Sequence, residues 1–379
     1  MAYLGLFILL ALLPDVYIWH YFVRGGRLVW EILFWLPFAL LVVLPLWGLT
    51  GHALQAAFHL LVILALCVVV PSWLFVLSSL LGRAAAHFAP AAAVWGNAAG
   101  LAAGAAVALA ALYGFTFGWR HVVEKRTDIV TPSLPEVFDG YTIVQLSDFH
   151  IGTYSAAPGT VDEIVRRVNS LHADAVVFTG DLVNADPEET TAFTAALSRI
   201  RARDGVFSVL GNHDYCEYRT YTAPDSPARA VKELVRRERA MGWQLLLNEN
   251  RVVRRGGDSI AIVGVENDGE PPFPAKGDLP RAMRGLPPHI YKVLLSHDPT
   301  HWRRSVLPRT DVAVTLSGHT HAMQLRIGCF SPSAWKYPEW GGLYREGSRL
   351  LHVSTGVGSN VPFRLGAWPE IDVLTLKRG

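Results

Sequence analysis

Eight side chains of this 379-residue sequence stand out as nitrogen and oxygen donors: Asp148, His150, Asp181, Asn212, His213, His297, His319 and His321. No cysteine is among them. A donor set of this kind suits divalent Mn, Fe or Zn and argues against calcium, which takes oxygen almost exclusively. A single catalytic zinc needs three protein ligands and a water, so eight donors match two cations sharing a carboxylate better. Two such ions roughly 3.5–4 Å apart lower the pKa of a bridging water and clamp the oxygens of an in-line phosphoryl displacement. The leaving alkoxide then needs a proton, and a histidine outside the ligand set is the natural source.

These donors become a site only if the chain gathers them. Asp148 and His150 follow the β-rich run Tyr141–Leu146, and Asp181 follows Ala175–Phe178. Asn212 and His213 follow Val206–Leu210, His297 follows Val293–Leu295, and His319 and His321 follow Val312–Leu316. Further strand-like runs are Ile260–Val265 and Leu350–Val353. Between the first runs the spacing predicts helices: one opened by a Thr160/Glu163 capping box with Ile164, Val165, Val168 and Leu171 on one face, another around 188–202. The order predicts an α/β (α+β) layered domain. Ligand sites in layered sheets form outside the carboxyl ends of strands. Five such ends on one edge would bring all eight donors together.

Each piece alone is more often a turn or a satisfied core contact; five in order are specific. Asp148-x-His150, Gly180-Asp181, Gly211-Asn212-His213-Asp214, His297 and Gly318-His319-Thr320-His321 resemble the five ordered motifs of the calcineurin-like metallophosphoesterases, over about residues 140–378. The resemblance implies a two-sheet sandwich flanked by helices, with a dinuclear site at one edge. Position by position, it implies that Asp148, His150, Asp181 and His321 hold a first metal. Asp181 would bridge to a second, completed by Asn212, His297 and His319. His213 would donate the proton to the leaving group, and Asp214 would orient it. The segments Gly341–Tyr344, Val353–Gly358, Pro362-Phe363-Arg364 and Pro369-Glu370-Ile371 are similar to a membrane-associated bacterial branch that includes phosphodiesterases and UDP-2,3-diacylglucosamine hydrolases. One departure stands out: Ala322-Met323-Gln324 follows His321 where that branch usually has Gly-Gly-Gln. Losing two glycines limits φ > 0 there and predicts a changed loop beside the second metal.

Around the motifs the reading is sparser. Arg364, near a Gly-rich turn, is a candidate for a bidentate contact to substrate phosphate. Arg254 and Arg255, before Gly-Gly, read as a surface hairpin. Trp335, Tyr337, Trp340 and Tyr344 form either a rim at a membrane interface or packed core. His172, His289, His301 and His352 carry no partner motif. Cys216 and Cys329 read as buried apolar residues, since no base stands beside them.

The other end of the chain is of a different kind. Residues 1–119 hold five charged side chains, Asp15, Arg24, Arg27, Glu31 and Arg83, although charged residues make up 17% of the whole. The spans 2–23, 29–49, 53–82 and 89–119 each reach the length of about 20 apolar residues needed to cross a bilayer. A cleaved signal peptide does not fit the opening Met-Ala-Tyr-Leu, which lacks a basic segment. Gly96, Gly100 and Gly104 give small-xxx-small spacing suited to helix packing in lipid, or simply reflect an Ala-rich span. The expected organisation is therefore an N-terminal four-helix transmembrane bundle (1–119), a linker (120–139) and the layered domain (140–379). Arg24, Arg27 and Arg83 in the short loops lean the large domain to the extracytoplasmic side; Arg120, Lys125 and Arg126 nearly cancel that bias.

Residues 120–379 carry 31 basic and 30 acidic side chains, which gives no support to nucleic-acid binding. No Cys-x-x-Cys spacing supports a zinc finger or a disulfide scaffold. The expected function is a membrane-anchored hydrolase of a phosphodiester, phosphomonoester or pyrophosphate. Membrane lipids are the expected surroundings and a lipid-linked phosphate fits the location; a soluble ester fits the motifs equally. No protein partner can be inferred. Two other classes compete. An inactive metal-binding scaffold should show gaps among the ligands, and none appear. A transporter regulated by the polar domain should bury charge pairs in its spans, and none are evident.

Overall fold

The computed structural model describes residues 2–48, 54–219, 221, 223 and 226–379. The chain divides into two compact units, Met1–Phe117 and Gly118–Gly379.

Unit 1 is helical: α1 (Ala2–Ile18), α2 (Leu28–Gly48), α3 (Leu54–Leu64), α4 (Val70–Ala85) and α5 (Ala92–Thr116). A π turn at Ala65–Val69 joins α3 to α4, just before Pro71. Proline lacks an N–H and its ring crowds the carbonyl four residues back, so the widened turn lets the helix run on. Among the described residues, four stretches are long and apolar enough to cross a membrane: Gly5–Val23, Leu28–Pro45, Ala56–Ala85 and Ala92–Arg120. Of the break expected between the second and third, at Gly48–His52, Gly48 ends α2 and residues 49–52 lie outside the described residues. Leu81, Val94 and Trp95 face outward, as expected where the surrounding solvent is lipid. The glycines of α5 work as packing residues. A Cβ on Gly96 would stand 2.7 Å from Gly82 Cα, and one on Gly100 2.9 Å from Phe75 Cα. Ser78 Oγ donates to Gly96 O at 2.8 Å and Ser79 Oγ to Asn97 Oδ1 at 2.6 Å, so α4 and α5 lie backbone to backbone.

Unit 2 is a sandwich of two six-stranded sheets, in the orders β1-β12-β2-β3-β4-β5 and β10-β11-β9-β8-β7-β6. Sheet one uses β1 (Val123–Thr131), β2 (Thr142–Leu146), β3 (Ala175–Phe178), β4 (Val206–Ser208), β5 (Gln244–Leu245) and β12 (Glu370–Arg378). Sheet two uses β6 (Glu249–Arg255), β7 (Asp258–Gly264), β8 (Tyr291–Leu295), β9 (Val314–Ser317), β10 (Gly342–Glu346) and β11 (Arg349–Val353). Ile143, Val177 and Phe207 of the first meet Ile262, Val293 and Leu316 of the second in one buried cluster. The helix α6 (Gly159–Ser170) covers the outer face of sheet one with Val161, Ile164, Val165 and Val168. Each such fully buried side chain contributes about 1.5–3 kcal/mol. Because β2, β3 and β8 are covered on both faces, they are buried nearly throughout rather than in alternation: β3 is wholly apolar, while β2 and β8 bury Gln145 and Lys292 among apolar residues.

Three local expectations change. Residues 120–139, read as a linker, contain β1, which pairs in parallel with β12. Its alternating charges, Glu124, Arg126 and Asp128, belong to the wet face of an edge strand. The Thr160/Glu163 box does not form: α6 starts at Gly159 after Pro158, and Glu163 pairs with Arg166 instead. The helix around 188–202 shrinks to a 3-10 turn at Pro187–Thr190 and one turn, α7 (Thr194–Leu197). A capping box at Asp186 and Glu189 starts that turn, while Glu189 also accepts from Asn184 N (2.7 Å) and Ala185 N (2.9 Å). This ties the segment to the loop after β3.

Candidate metal centre

Strands β2, β3 and β4 run parallel, as do β7, β8, β9 and β11. Their carboxyl ends bring the loops carrying the eight donors to one edge of the sandwich. Backbone bonds stitch these loops together: Asp148 N to Gly180 O (2.8 Å), His150 N to Asp181 O (3.1 Å) and Gly318 N to His297 O (2.9 Å). Five donor residues hold left-handed backbone, with φ of 52° at Asp148, 45° at His150, 60° at Asp181, 74° at His319 and 50° at His321. Each costs on the order of 1 kcal/mol for a residue with a Cβ. His172 (φ 49°) and Asn248 (φ 59°) are strained elsewhere, but the concentration at this one edge marks it as a site the rest of the fold supports.

The donors form two groups that share Asp181. One ligand atom from each of Asp148, His150, Asp181 and His321 lies within 4.8 Å of the others, and the same holds for Asp181, His297 and His319. Asp181 Oδ2 stands 3.2 Å from His297 Nε2 and 3.6 Å from His150 Nε2. His321 Nε2 lies 3.2 Å from Asp148 Oδ1 and 3.1 Å from His150 Nε2. Asn212 Oδ1 closes the second group, 3.2 Å from His297 Nε2 and 2.8 Å from His319 Nδ1. Two glycines leave room for the carboxylates. A Cβ on Gly211 would collide with Asp181 Oδ1, and one on Gly318 with Asp148 Oδ2.

The electrostatics fit divalent cations. Burial lowers His150 to about 3 and His319 to about 4, and holds His321 well below its usual value. These imidazoles are neutral, the form that ligates metal. Burial pushes Asp148 up to about 6. It also raises Asp181, but His297 and His213 outweigh it and hold that carboxyl well below the usual range. Burial lowers His297, yet Asp181 and Asp148 overcome it and lift the imidazole to about 10. The two buried carboxylates thus create a potential that holds a positive charge in their midst. Imidazole nitrogens 3.1 Å apart, facing those carboxylates, are the donor set of a cation site.

Two expected roles are corrected. Asp214 does not orient His213. Its carboxylate accepts from the N–H groups of Asp181, Gly211 and Leu182, each at 2.8 Å, and of Val183 at 3.2 Å. It shapes the loops, while His213 Nδ1 stands 2.6 Å from Asn184 O. Arg364 is not available to a substrate phosphate: it is fully buried and donates to Thr355 O (2.7 Å), Gly356 O (3.3 Å), Ala367 O (3.1 Å) and Gly358 O. The Ala322-Met323-Gln324 departure also behaves unexpectedly. These residues take φ of 51°, 44° and 60° without glycine.

Elsewhere the peripheral readings divide. Arg255 lies at the β6–β7 hairpin and pairs with Asp174 at 2.9 Å. His301 is buried between Ser296 Oγ (2.8 Å) and Asp268 (3.2 Å), and His352 bonds Gln145 at 2.9 Å. Cys216 is buried, with burial pushing its thiol up to about 12; Cys329, read as buried, is exposed because it sits at a hairpin tip. The aromatic group splits too: Tyr337 is buried and Trp335 is 80% exposed.

Asn184, Tyr218 and Tyr337 also border the centre, and of the three only Tyr337 stands out in the sequence, as rim or packed core rather than as a neighbour of a donor. Asn184 offers only a backbone carbonyl, which no residue type announces. Tyr218 stacks on His213 with ring centroids 4.1 Å apart and accepts from Asn212 Nδ2 at 2.8 Å. Tyr337 meets His319 Nε2 at 2.9 Å, leaving Nδ1 toward the second group and orienting the ring.

The calcineurin-like phosphoesterase family matches residues 141–323. A transmembrane protein with metallophosphoesterase domain from Bos taurus is 32% identical over 64% of this chain and 54% of its own length. The uncharacterized metallophosphoesterase YkuE of Bacillus subtilis is 31% identical over 68% of this chain and 86% of its own. The UDP-2,3-diacylglucosamine pyrophosphatase LpxG of Chlamydia trachomatis is 28% identical over 68% of this chain and 91% of its own. The chain spans about half the length of the bovine relative it matches.

Proposed function

This chain belongs to the calcineurin-like metallophosphoesterases, and on that premise we propose that it is a membrane-anchored, metal-dependent hydrolase of a phosphate ester or anhydride. The observation that carries the reading is the sharing of Asp181 between the two donor groups. Asp148, His150, Asp181 and His321 would hold one cation; Asp181, Asn212, His297 and His319 would hold another. The chemistry such cations supply is activation of a water and neutralisation of charge on phosphoryl oxygens.

The remaining roles fall to the chain itself. His213 is partly exposed beside the donors, with its ring 4.7 Å from that of His150. Its Nδ1 proton is engaged by Asn184 O, so Nε2 is the atom that would pass a proton to the leaving oxygen. Tyr218 covers the imidazole face and excludes water from it. The likeness to LpxG favours a lipid-linked pyrophosphate as substrate, and four membrane-crossing helices would keep the site near such lipids. The arginines of the short loops favour an extracytoplasmic position for residues 120–379.

The test uses the full chain in lipid nanodiscs loaded with Mn, Fe or Zn. Hydrolysis of UDP-diacylglucosamine is compared with that of a bis-aryl phosphodiester. Asp181→Ala should abolish both activities and reduce bound metal from about two ions per chain, the stoichiometry of a two-metal site, toward none. A folded, metal-loaded protein that cleaves neither compound would overturn the reading.

A further inference from the structure

The segment directly after His321 has the surface chemistry of a membrane-contacting element. Among the described residues of unit 2, the four most exposed large apolar side chains all fall on it: Trp335 at 80%, Ile327 at 68%, Met323 at 48% and Phe330 at 44%. Isolated apolar side chains on a surface are ordinary, whereas a cluster marks an interaction site.

The cluster is built rather than loose. Ile327 and Phe330 bond each other across a tight hairpin, N to O at 2.9 and 3.1 Å, with Gly328 (φ 61°) and Cys329 at its tip. The base is anchored by Arg326 N to Leu365 O (2.9 Å) and by the buried Ser331 Oγ to Ala322 O (2.6 Å). Trp335 packs beside Phe330, ring centroids 5.8 Å apart. The finger therefore holds its apolar tip out in water, where it gains nothing from burial.

Charge identifies the partner. Residues 322–338 carry Arg326 and Lys336, the latter 3.7 Å from Glu270, and no acidic side chain of their own. Tryptophan and phenylalanine flanked by cations suit the boundary between acyl chains and anionic headgroups. The same chain carries four helices able to cross a membrane, so a lipid surface is always at hand. A soluble protein partner would need a matching acidic rim, and it would have no such permanent tether.

We propose that this finger inserts its tip, Ile327, Phe330 and Trp335, into the interface of an anionic bilayer. The inference stands on exposure, rigidity and charge, independently of the hydrolase reading. Native Cys329 at the tip offers the probe, since Cys216 is buried. In a Cys67→Ser background, the full chain is labelled there with nitrobenzoxadiazole and placed in nanodiscs with and without phosphatidylglycerol. The expected result is blue-shifted emission and quenching by acyl-chain spin-labelled lipid several-fold above that of a label at Gly257→Cys. Both effects should strengthen with phosphatidylglycerol and weaken in Phe330→Ser/Trp335→Ser. Water-like emission with free quenching by iodide would overturn the proposal. So would a shielded label that spin-labelled lipid does not quench, because that result signals a protein contact.

Discussion

His213 Nδ1 lies 2.6 Å from the carbonyl oxygen of Asn184, and Asn184 N in turn donates to Glu189 at 2.7 Å. A carbonyl can only accept, so the proton on Nδ1 is defined and the ring cannot flip without losing the bond. The imidazole is thus oriented by a loop that a capping box holds, rather than by the acidic residue next to it in sequence.

The neighbours His213 and Asp214 should therefore fail in different ways. His213→Gln should leave the unfolding midpoint unchanged and lower kcat by about 10²–10⁴, the usual worth of a general acid. Asp214→Ala leaves four buried N–H groups without an acceptor, at about 1–3 kcal/mol each before relaxation. Its signature is a lower melting temperature and lost metal, measured by thermal unfolding and elemental analysis. Equal kinetic defects with equal stability would restore Asp214 as the orienting group.

The sequence reports most clearly where a residue type has a single physical use. A histidine or carboxylate closing an apolar strand run, repeated five times, points to one sheet edge. The order of runs from Tyr141 to Leu316 makes the layered fold readable for the same reason. What it conceals is carried by the backbone. The carbonyl of Asn184, the left-handed φ of five donors and the N–H groups around Asp214 are set by tertiary context. Arg364 misled because an arginine beside a Gly-rich turn looks the same whether it faces phosphate or carbonyl oxygens. Charged β1 misled because an edge strand shares its composition with a linker.

Arg364 is a test of that ambiguity. Burial lowers its pKa from the usual arginine range, and its guanidinium holds the carbonyls of Thr355, Gly356, Gly358 and Ala367. Arg364→Met should destabilise by roughly 3–5 kcal/mol, as losses from buried charge networks do. Among molecules that remain folded, KM should stay near the wild-type value. A substrate contact would give the reverse, a raised KM at unchanged stability.

Ala322 and Met323 occupy a turn that glycine would take without strain. Ala322→Gly and Met323→Gly should each stabilise by up to about 1 kcal/mol, the relief of left-handed strain less the extra unfolded-state freedom of glycine. Higher midpoints in thermal unfolding at pH 7 would bear this out. Lower ones would mean that contacts of the Ala322 methyl or the Met323 side chain outweigh the strain.

His301 sets an acid limit. Burial holds its imidazole at about 4, below the ordinary 6.5, against the opposing pull of Asp268. A depressed folded pKa means that the unfolded chain takes up the proton first. Its contribution is then fully present above pH 6.5 and lost as pH falls toward 4. The loss is on the order of 3 kcal/mol at most. His301→Asn removes the titrating group, so its melting temperature should fall less than that of the unsubstituted chain between pH 7 and pH 4.5. Parallel declines in the two proteins would show that His301 is charged in the folded state already.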